Sequence, residues 1–555
     1  MLSILPGCSF SQLFTNPLII PPLLTGTNFT LAFAPSTHQF YPGIITSTYG
    51  INGDYLGPTL LFNKGDSVHL SVLNNLSEVT SCHWHGLHVP AESDGGPHSP
   101  INPGDNWYAH FKVMNNAATY WYHPHMHMTT QPQVTAGLSG MIIIKDSSES
   151  LLNLPRTYGS DDFPVIIQDR KYSISGQFLS NGLGDSVLIN GTAYAFLDCP
   201  KQMVRLRLLN GSNARVYNIG FSDQRNFNVI GGDGGLLSQP YTTNRLLLSN
   251  GERAEILVDF TNDIVGNQIV MMSYASEMAN NVPGAITGAM GGNGPLEAVD
   301  FNLFQLNVIS QTVNPVTTIP STLISQNSWN PADAARTRNK IITGMGSVNG
   351  MGNFLINNSS FNHFVFNDTV QLNDIEIWNV TNNSNMAHPI HLHDVQFYIL
   401  NRNGTSPTPE ESGLKDVFLV SPNETVSLIT RFEDFANDSV PYMYHCHNLA
   451  HEDMGMMLQF IVVNNTSGVE DFHLASENIQ AYPNPSMDFW HVKAAIQMPD
   501  DAVMEMLDFH GQKISIDLQF REHEFMIDNT GLSKGIYFLK ISSKSGIFIG
   551  KLVKT

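Results

Sequence analysis

The chain is poor in charge and in cysteine. Charged residues fill 14% of its 555 positions, and 48 Asp and Glu outweigh 27 Lys and Arg to leave a formal net charge of −21. A duplex nucleic acid would be repelled, and no basic stripe opposes that. The acidity is read most simply as surface solubility. Four cysteines, Cys8, Cys82, Cys199 and Cys446, are too few for a disulfide scaffold. Cys82 and Cys199 either pair in an oxidising compartment or stay as buried thiols, and the sequence leaves both open. No run is apolar for long enough to span a bilayer. Lys and Arg are absent before Lys64. Residues 1–12 are short and apolar, like a signal-peptide remnant, yet a secretory leader opens with positive charge, so the expectation is a truncated or misassigned start.

Long amphipathic helices are scarce too. What is abundant is Gly (44), Pro (30) and hydrophobic residues (42%), a mix that suits an all-β chain with many turns. Short runs with apolar–polar alternation recur at 67–73, 141–145, 203–209, 254–260, 376–380 and 425–431. Polar, Pro-containing segments at 146–164, 311–331 and 464–480 read as linkers. They divide the chain into 13–150, 151–315, 316–468 and a tail, 469–555. Gly231-Gly232-Asp233-Gly234-Gly235 lacks the strand-then-helix context of a phosphate loop and reads as turn chemistry.

Histidine is absent from the middle. Of 21, none lies between His127 and His363. Nine cluster as His83-Trp84-His85, His123-Pro124-His125, His388-Pro389-Ile390-His391-Leu392-His393 and His445-Cys446-His447, with His451 and Met456 following. Side chains two apart on a strand share a face. Four pairs therefore present eight imidazoles, with Cys446 turned the other way and His388 out of phase with His391 and His393. Two sites emerge, and the first and third pieces make this chemistry together, with the middle piece as spacer. One has eight imidazoles, which suit Cu, Zn, Fe or Ni. The other has His388, Cys446, His451 and Met456; two His, one Cys and a weak axial Met form the electron-transfer arrangement of blue copper. Cys446 lies between two ligands of the other site, so its backbone is a short covalent path for electrons. His38, His69, His88, His98, His110, His127 and His363 read as surface or supporting residues.

These four clusters resemble the copper motifs of the multicopper oxidase family, over about residues 14–465. Asn16-Pro17-Leu18, Pro103-Gly104, Gly137-Leu138-Ser139-Gly140, Gly251-Glu252-Arg253-Ala254-Glu255 and His451-Glu452-Asp453-Met454-Gly455-Met456-Met457 are similar to its bacterial laccase, copper-efflux and spore-coat branch. The resemblance implies three consecutive cupredoxin-like Greek-key β-sandwiches, the second without copper. It implies four copper ions and no other cofactor. The type 1 ion would take His388, Cys446 and His451, with Met456 axial. The type 2 ion would take His83 and His391. One type 3 ion would take His85, His123 and His447, and the other His125, His393 and His445. Asp94 and Glu452 would be the ionised acids that relay protons to dioxygen.

The tail, with Ala481-Tyr482-Pro483-Asn484-Pro485-Ser486 at its start and Gly535-Ile536-Tyr537-Phe538-Leu539-Lys540-Ile541 near its end, resembles the small β-sandwich sorting domain of type IX secretion. It implies the secretion machinery as partner and a secreted or cell-surface location, reached through the periplasm; a glycan-binding β-domain is the alternative. The reducing substrate is read as a phenol or aromatic amine. The alternatives are Cu(I), weakened because the Met-bearing stretch at Gly344 to Met351 is short and Met271, Met272, Met278 and Met290 read more simply as core and loop residues, or copper binding without turnover. A complete ligand set argues against mere storage, and the length argues against a two-domain nitrite reductase.

Overall fold

The computed structural model describes residues 13–464 except 181, 288–293 and 346–352, and residues 479–555 except 495–502, 510, 516–517, 522–523 and 544–545. The signal-peptide remnant expected at 1–12 lies outside the described residues, as do Met290, Met351 and most of the stretch after Met345. The expected strands are Ser67–Asn74, Gly140–Lys145, Met203–Asn210, Arg253–Asp259, Ile375–Asn382 and Thr425–Arg431. Val68, Leu70 and Val72 turn inward along the first while their neighbours face out, as the two-residue period requires. Met203–Asn210 is buried on both faces, because its outward Arg205 and Arg207 pair with Glu149, Glu255 and Asp162 rather than with water.

Residues up to 464 form one compact unit and the tail a second. Within the first unit, Leu23–Thr25, Thr59–Asn63, Gly140–Lys145, Ala118–His123 and His83–His85 make one sheet. It packs on a sheet of Ile44–Ile51, Asn28–Tyr41, Ser67–Asn74 and Asn106–Lys112. Leu31, Phe33, Leu60, Phe62 and Trp84 fill the space between. Thr59–Asn63 runs parallel to Gly140–Lys145, so the chain crosses over between them, as Greek-key sandwiches require.

A middle sandwich is built on Asp162–Tyr172, Met203–Asn210 and Arg253–Asp259 in one sheet, and Ala195–Pro200, Phe301–Ile309 and Gln268–Ser273 in the other. Asn16–Pro17 pairs in parallel with its edge at Ala195–Pro200. The third sandwich sets Arg336–Met345, Ile375–Asn382, Thr425–Arg431 and Phe397–Arg402 against Met457–Val463, Asn437–Cys446, His388–Leu392 and Val417–Val420. In the tail unit, Trp490, Val492, Ile527, Leu539 and Leu552 form a core between two four-stranded sheets. The chain is thus all-β, with three successive sandwiches and a small terminal one.

Cys82 lies in the core of the first sandwich and Cys199 in that of the second, both as free thiols. The disulfide alternative is thereby excluded. The linker expected at 146–164 holds the short helix Ser147–Ser150, capped by Asp146, whose carboxylate accepts from Glu149 N at 2.8 Å. Glu149 in turn accepts from Arg205 at 2.8 Å. Arg205 also meets Glu255, and Arg207 bonds Glu255 at 2.6 Å and Asp162 at 2.7 and 2.8 Å. These buried charges survive because each finds an opposite charge and fixed hydrogen bonds.

Candidate metal centre

Two strand pairings bring the histidine clusters together. His83 stands opposite His123 in the first sandwich, and His391 opposite His445 in the third. His125, His393 and His447 lie just past the ends of their strands. All eight imidazoles are buried. They sort into two triads and a pair. In one triad His85 Nδ1 lies 3.4 Å from His123 Nε2 and 3.2 Å from His447 Nε2. In the other, Nε2 of His125, His393 and His445 converge within 3.0–3.2 Å. His83 and His391 remain, each with a buried Nε2 that has no hydrogen-bond partner.

The ring nitrogens that face away fix the tautomers. Nδ1–H donates to a backbone carbonyl in His83 (Asp94, 2.9 Å), His123 (Pro124, 2.8 Å), His391 (Asp416, 2.8 Å) and His445 (Cys446, 3.1 Å). His393 Nδ1 donates to Asp94 Oδ2 at 2.8 Å. Each Nε2 then keeps its lone pair for the shared space. His85 is reversed: Nε2 donates to Asp416 Oδ1 at 3.1 Å, and Nδ1 faces inward. Burial, and then the neighbouring imidazoles, hold the protonation of His123, His125, His391 and His393 well below the usual histidine range. Neutral, inward-facing lone pairs are what a transition metal needs.

The second site lies at the end of Asn437–Cys446. Cys446 Sγ is 3.5 Å from Nδ1 of both His388 and His451. Met456 is buried in the same core, and its carbonyl accepts from Cys446 N at 3.1 Å. His388 Nε2 lies 2.9 Å from Ser384 Oγ, a hydroxyl that itself donates to Asn382 Oδ1 at 2.7 Å. Ser384 is thus an acceptor for His388, and Nδ1 is left free toward the sulfur. Phe354 packs on both rings, 4.5 Å from His388 and 4.6 Å from His451 between centroids. Burial pushes the Cys446 thiol up, so a cation would be what holds it as thiolate. The donors, eight imidazole nitrogens in one space and two with a thiol in the other, fit soft-to-borderline ions such as copper.

The two acids expected to relay protons are both here. Asp94 is buried with Oδ2 on His393 and Oδ1 3.4 Å from His83 Nδ1. Gly95 makes this approach possible: its φ is +80°, and a Cβ there would overlap the Cys82 carbonyl. Glu452 lies behind the second triad, 3.5 Å from His125 Nδ1 and 3.3 Å from His445 Nδ1. Burial, and then the Asp453 charge, push its carboxyl well up. That favours the protonated acid, against the expectation of an ionised one; the charge of a bound cation opposes this.

Sequence reasoning missed Asp416. Beyond holding His85, it is clamped by Arg253, Nη1 to Oδ1 at 2.6 Å and Nη2 to Oδ2 at 2.5 Å. Burial raises its carboxyl to about 6, against the pull of that guanidinium; the bidentate contact with Arg253 favours the carboxylate. Arg253 belongs to the middle sandwich. Asp233 of the same sandwich accepts from Arg253 N and pairs with Lys415 at 3.0 Å. Gly251, at φ +80°, backs directly on the His447 ring, where a Cβ would come within 2.9 Å. The middle sandwich therefore does more than space the other two.

Of the supporting histidines, His88 joins the first sandwich to the third. Nδ1 bonds Asp394 at 2.7 Å and Nε2 bonds Asp434 at 3.1 Å.

Comparisons with known proteins agree with this geometry. Residues 34–149, 167–290 and 331–466 each match a family model described as multicopper oxidase. Residues 480–555 match the secretion system C-terminal sorting domain. The multicopper oxidase mco of Staphylococcus haemolyticus is 34% identical over 448 residues, 79% of this chain and 89% of its own. The cell division protein FtsP of Escherichia coli is 32% identical, over 80% of this chain and 93% of its own. Among solved structures, the laccase-like multi-copper oxidase CueO of Ochrobactrum sp. superposes with a TM-score of 0.72 at 31% identity, over 80% of this chain and 100% of that one.

The His88 bridge should depend on pH. Burial alone would lower its pKa, but Asp394 and then Asp434 lift it to about 9, above the unfolded value of about 6.5. Its stabilisation is fully present below that unfolded value and is lost as pH rises through the folded one. His88→Ala should cost roughly 1–3 kcal/mol at neutral pH. The gap from wild type in thermal unfolding midpoint should close in more alkaline buffer; a constant gap would refute the charged bridge.

Proposed function

Because the chain belongs to the multicopper oxidase family, whose members bind copper, we propose that it is a laccase-like oxidase holding four copper ions. It would take electrons singly from a phenol or aromatic amine and pass them to dioxygen. Four one-electron oxidations, with four protons, reduce one dioxygen to two waters. The carrying observation is Cys446: its sulfur meets His388 and His451, while His445 and His447, one residue away on either side, join different imidazole triads. Bound copper would supply the one-electron redox chemistry at both sites.

The ligand sets that this geometry supports are those the resemblance implies. His388, Cys446 and His451 with Met456 would hold the type 1 ion, and His83 with His391 the type 2 ion. His85, His123 and His447 would hold one type 3 ion, and His125, His393 and His445 the other. Grouped donor atoms at His388, Cys446 and His451, and at His125, His393 and His445, support this reading. The remaining residues orient and supply protons. Asp94 fixes His393 and reaches His83, so it can hold a proton at the chamber wall. Glu452 offers a second acid at Nδ1 of His125 and His445. Asp416, kept anionic by Arg253, orients His85 and balances cationic charge.

The match at 480–555 marks the chain for export or the cell surface. Delivery by the type IX machinery through the periplasm is part of this proposal. No helix among the described residues is long and apolar enough to cross a membrane. FtsP shows that a relative of similar identity carries a cell-division name, so turnover here rests on the complete ligand set rather than on kinship. Cu(I) oxidation is the second reading.

Oxygen uptake by the copper-loaded protein, with a methoxyphenol and with Cu(I) in parallel, tests the reading. Faster uptake with the phenol is expected; uptake with Cu(I) alone would reassign the donor, and none with either would remove the oxidase activity. Asp94→Asn should keep the blue absorption of the type 1 site while slowing oxygen uptake by roughly 10²-fold, and an unchanged rate would exclude Asp94 from proton delivery. Met456→Leu should raise the type 1 potential in a redox titration, since the axial ligand tunes it; a lower potential would contradict an axial thioether.

A further inference from the structure

Two histidines outside the centre stand face to face on the first sandwich. His69 of Ser67–Asn74 is in register with His110 of the sheet's edge strand Asn106–Lys112. Both are exposed. His69 N donates to Thr27 O, just before the other neighbouring strand, and His110 N and O both turn to Ser93 Oγ. The two therefore form a non-hydrogen-bonded pair, the kind whose side chains approach most closely. Their ring centroids are 4.2 Å apart. Within the two imidazole triads of the same molecule, neighbouring rings stand at 4.7–5.6 Å, so a small rotation of two exposed rings reaches ligand spacing.

We infer that His69 and His110 form a two-imidazole clamp for one divalent first-row transition ion of the imidazole-preferring class, Cu²⁺, Ni²⁺ or Zn²⁺. The remaining coordination positions face solvent and would be filled by water. Nothing on the strands competes as an anionic ligand: Tyr108 and Lys112 flank His110 on its own face, with Ser71 and Ser67 opposite them. Once one imidazole binds, the other acts intramolecularly at high effective concentration. An ion there would pin the edge strand to its neighbour. The His110 backbone is itself held by Ser93 Oγ, next in sequence to Asp94, at 3.2 and 3.4 Å.

The test uses full-length protein with its copper sites filled and free copper removed, titrated calorimetrically with Ni²⁺. One saturable Ni²⁺ site is expected, weakened at least about tenfold in both His69→Ala and His110→Ala, because each variant loses the chelate. Ni²⁺ should raise the unfolding midpoint of wild type and of neither variant. Blue absorption and oxygen uptake should match wild type in both, which separates this clamp from the oxidase reading. Equal Ni²⁺ binding by all three proteins, or no saturable binding, would mean adventitious surface binding only and would overturn the inference.

Discussion

A buried imidazole has one proton and two nitrogens, and the whole body of this protein depends on which nitrogen carries it. An acceptor behind six of the eight rings takes the N–H and leaves a lone pair inward. In His83, His123, His391 and His445 that acceptor is a backbone carbonyl, as rigid as the sheet itself. In His393 and His85 it is a carboxylate, Asp94 or Asp416. Were any ring to turn over, a buried N–H would point at its neighbours and a donor atom would be lost. The β-sandwich suits this task because its strands fix backbone carbonyls without help from side chains.

The carboxylates bring their own cost, since an ionised acid in a dry interior needs a partner. Asp416 is answered by Arg253, and Asp233 by Lys415 and the Arg253 backbone. This carries the middle sandwich into a centre to which it contributes no donor atom. The same sandwich meets the first through Arg205, Arg207 and Glu255. Burying so many paired charges adds little net stability, but it punishes any slippage between sandwiches. A chamber whose walls come from both ends of the chain needs that precision.

Much of this was readable in the residues. Two-residue alternation located the strands, and the His-X-His spacing named the eight imidazoles and set Cys446 and His388 apart from them. Period-two reasoning was stretched at His125, His393 and His447, which lie beyond their strands; they converge because the turns keep to the same end of the sheets. Asp416 was illegible. A Lys–Asp pair before the apolar run Val417–Val420 looks like a solvated turn, and only long-range packing against Arg253 makes it a buried anion. The burial of Glu452 was equally hidden, because burial is a tertiary property. The face-to-face meeting of His69 and His110 required strand register, which no single stretch of sequence carries.

His85 and His447, which point their nitrogens at one another across 3.2 Å, are separated by 362 positions along the chain. Neither half of that triad exists in a partial chain. The molecule is thus built like a buckled belt: the two ends carry the tongue and the frame, the middle is the strap, and an ion is the pin. Closing such a loop is entropically slow and must wait for the last third of the body to be made. An ion that binds the closed form pulls the equilibrium toward the assembled body by mass action, so metal supply and mechanical integrity become one quantity.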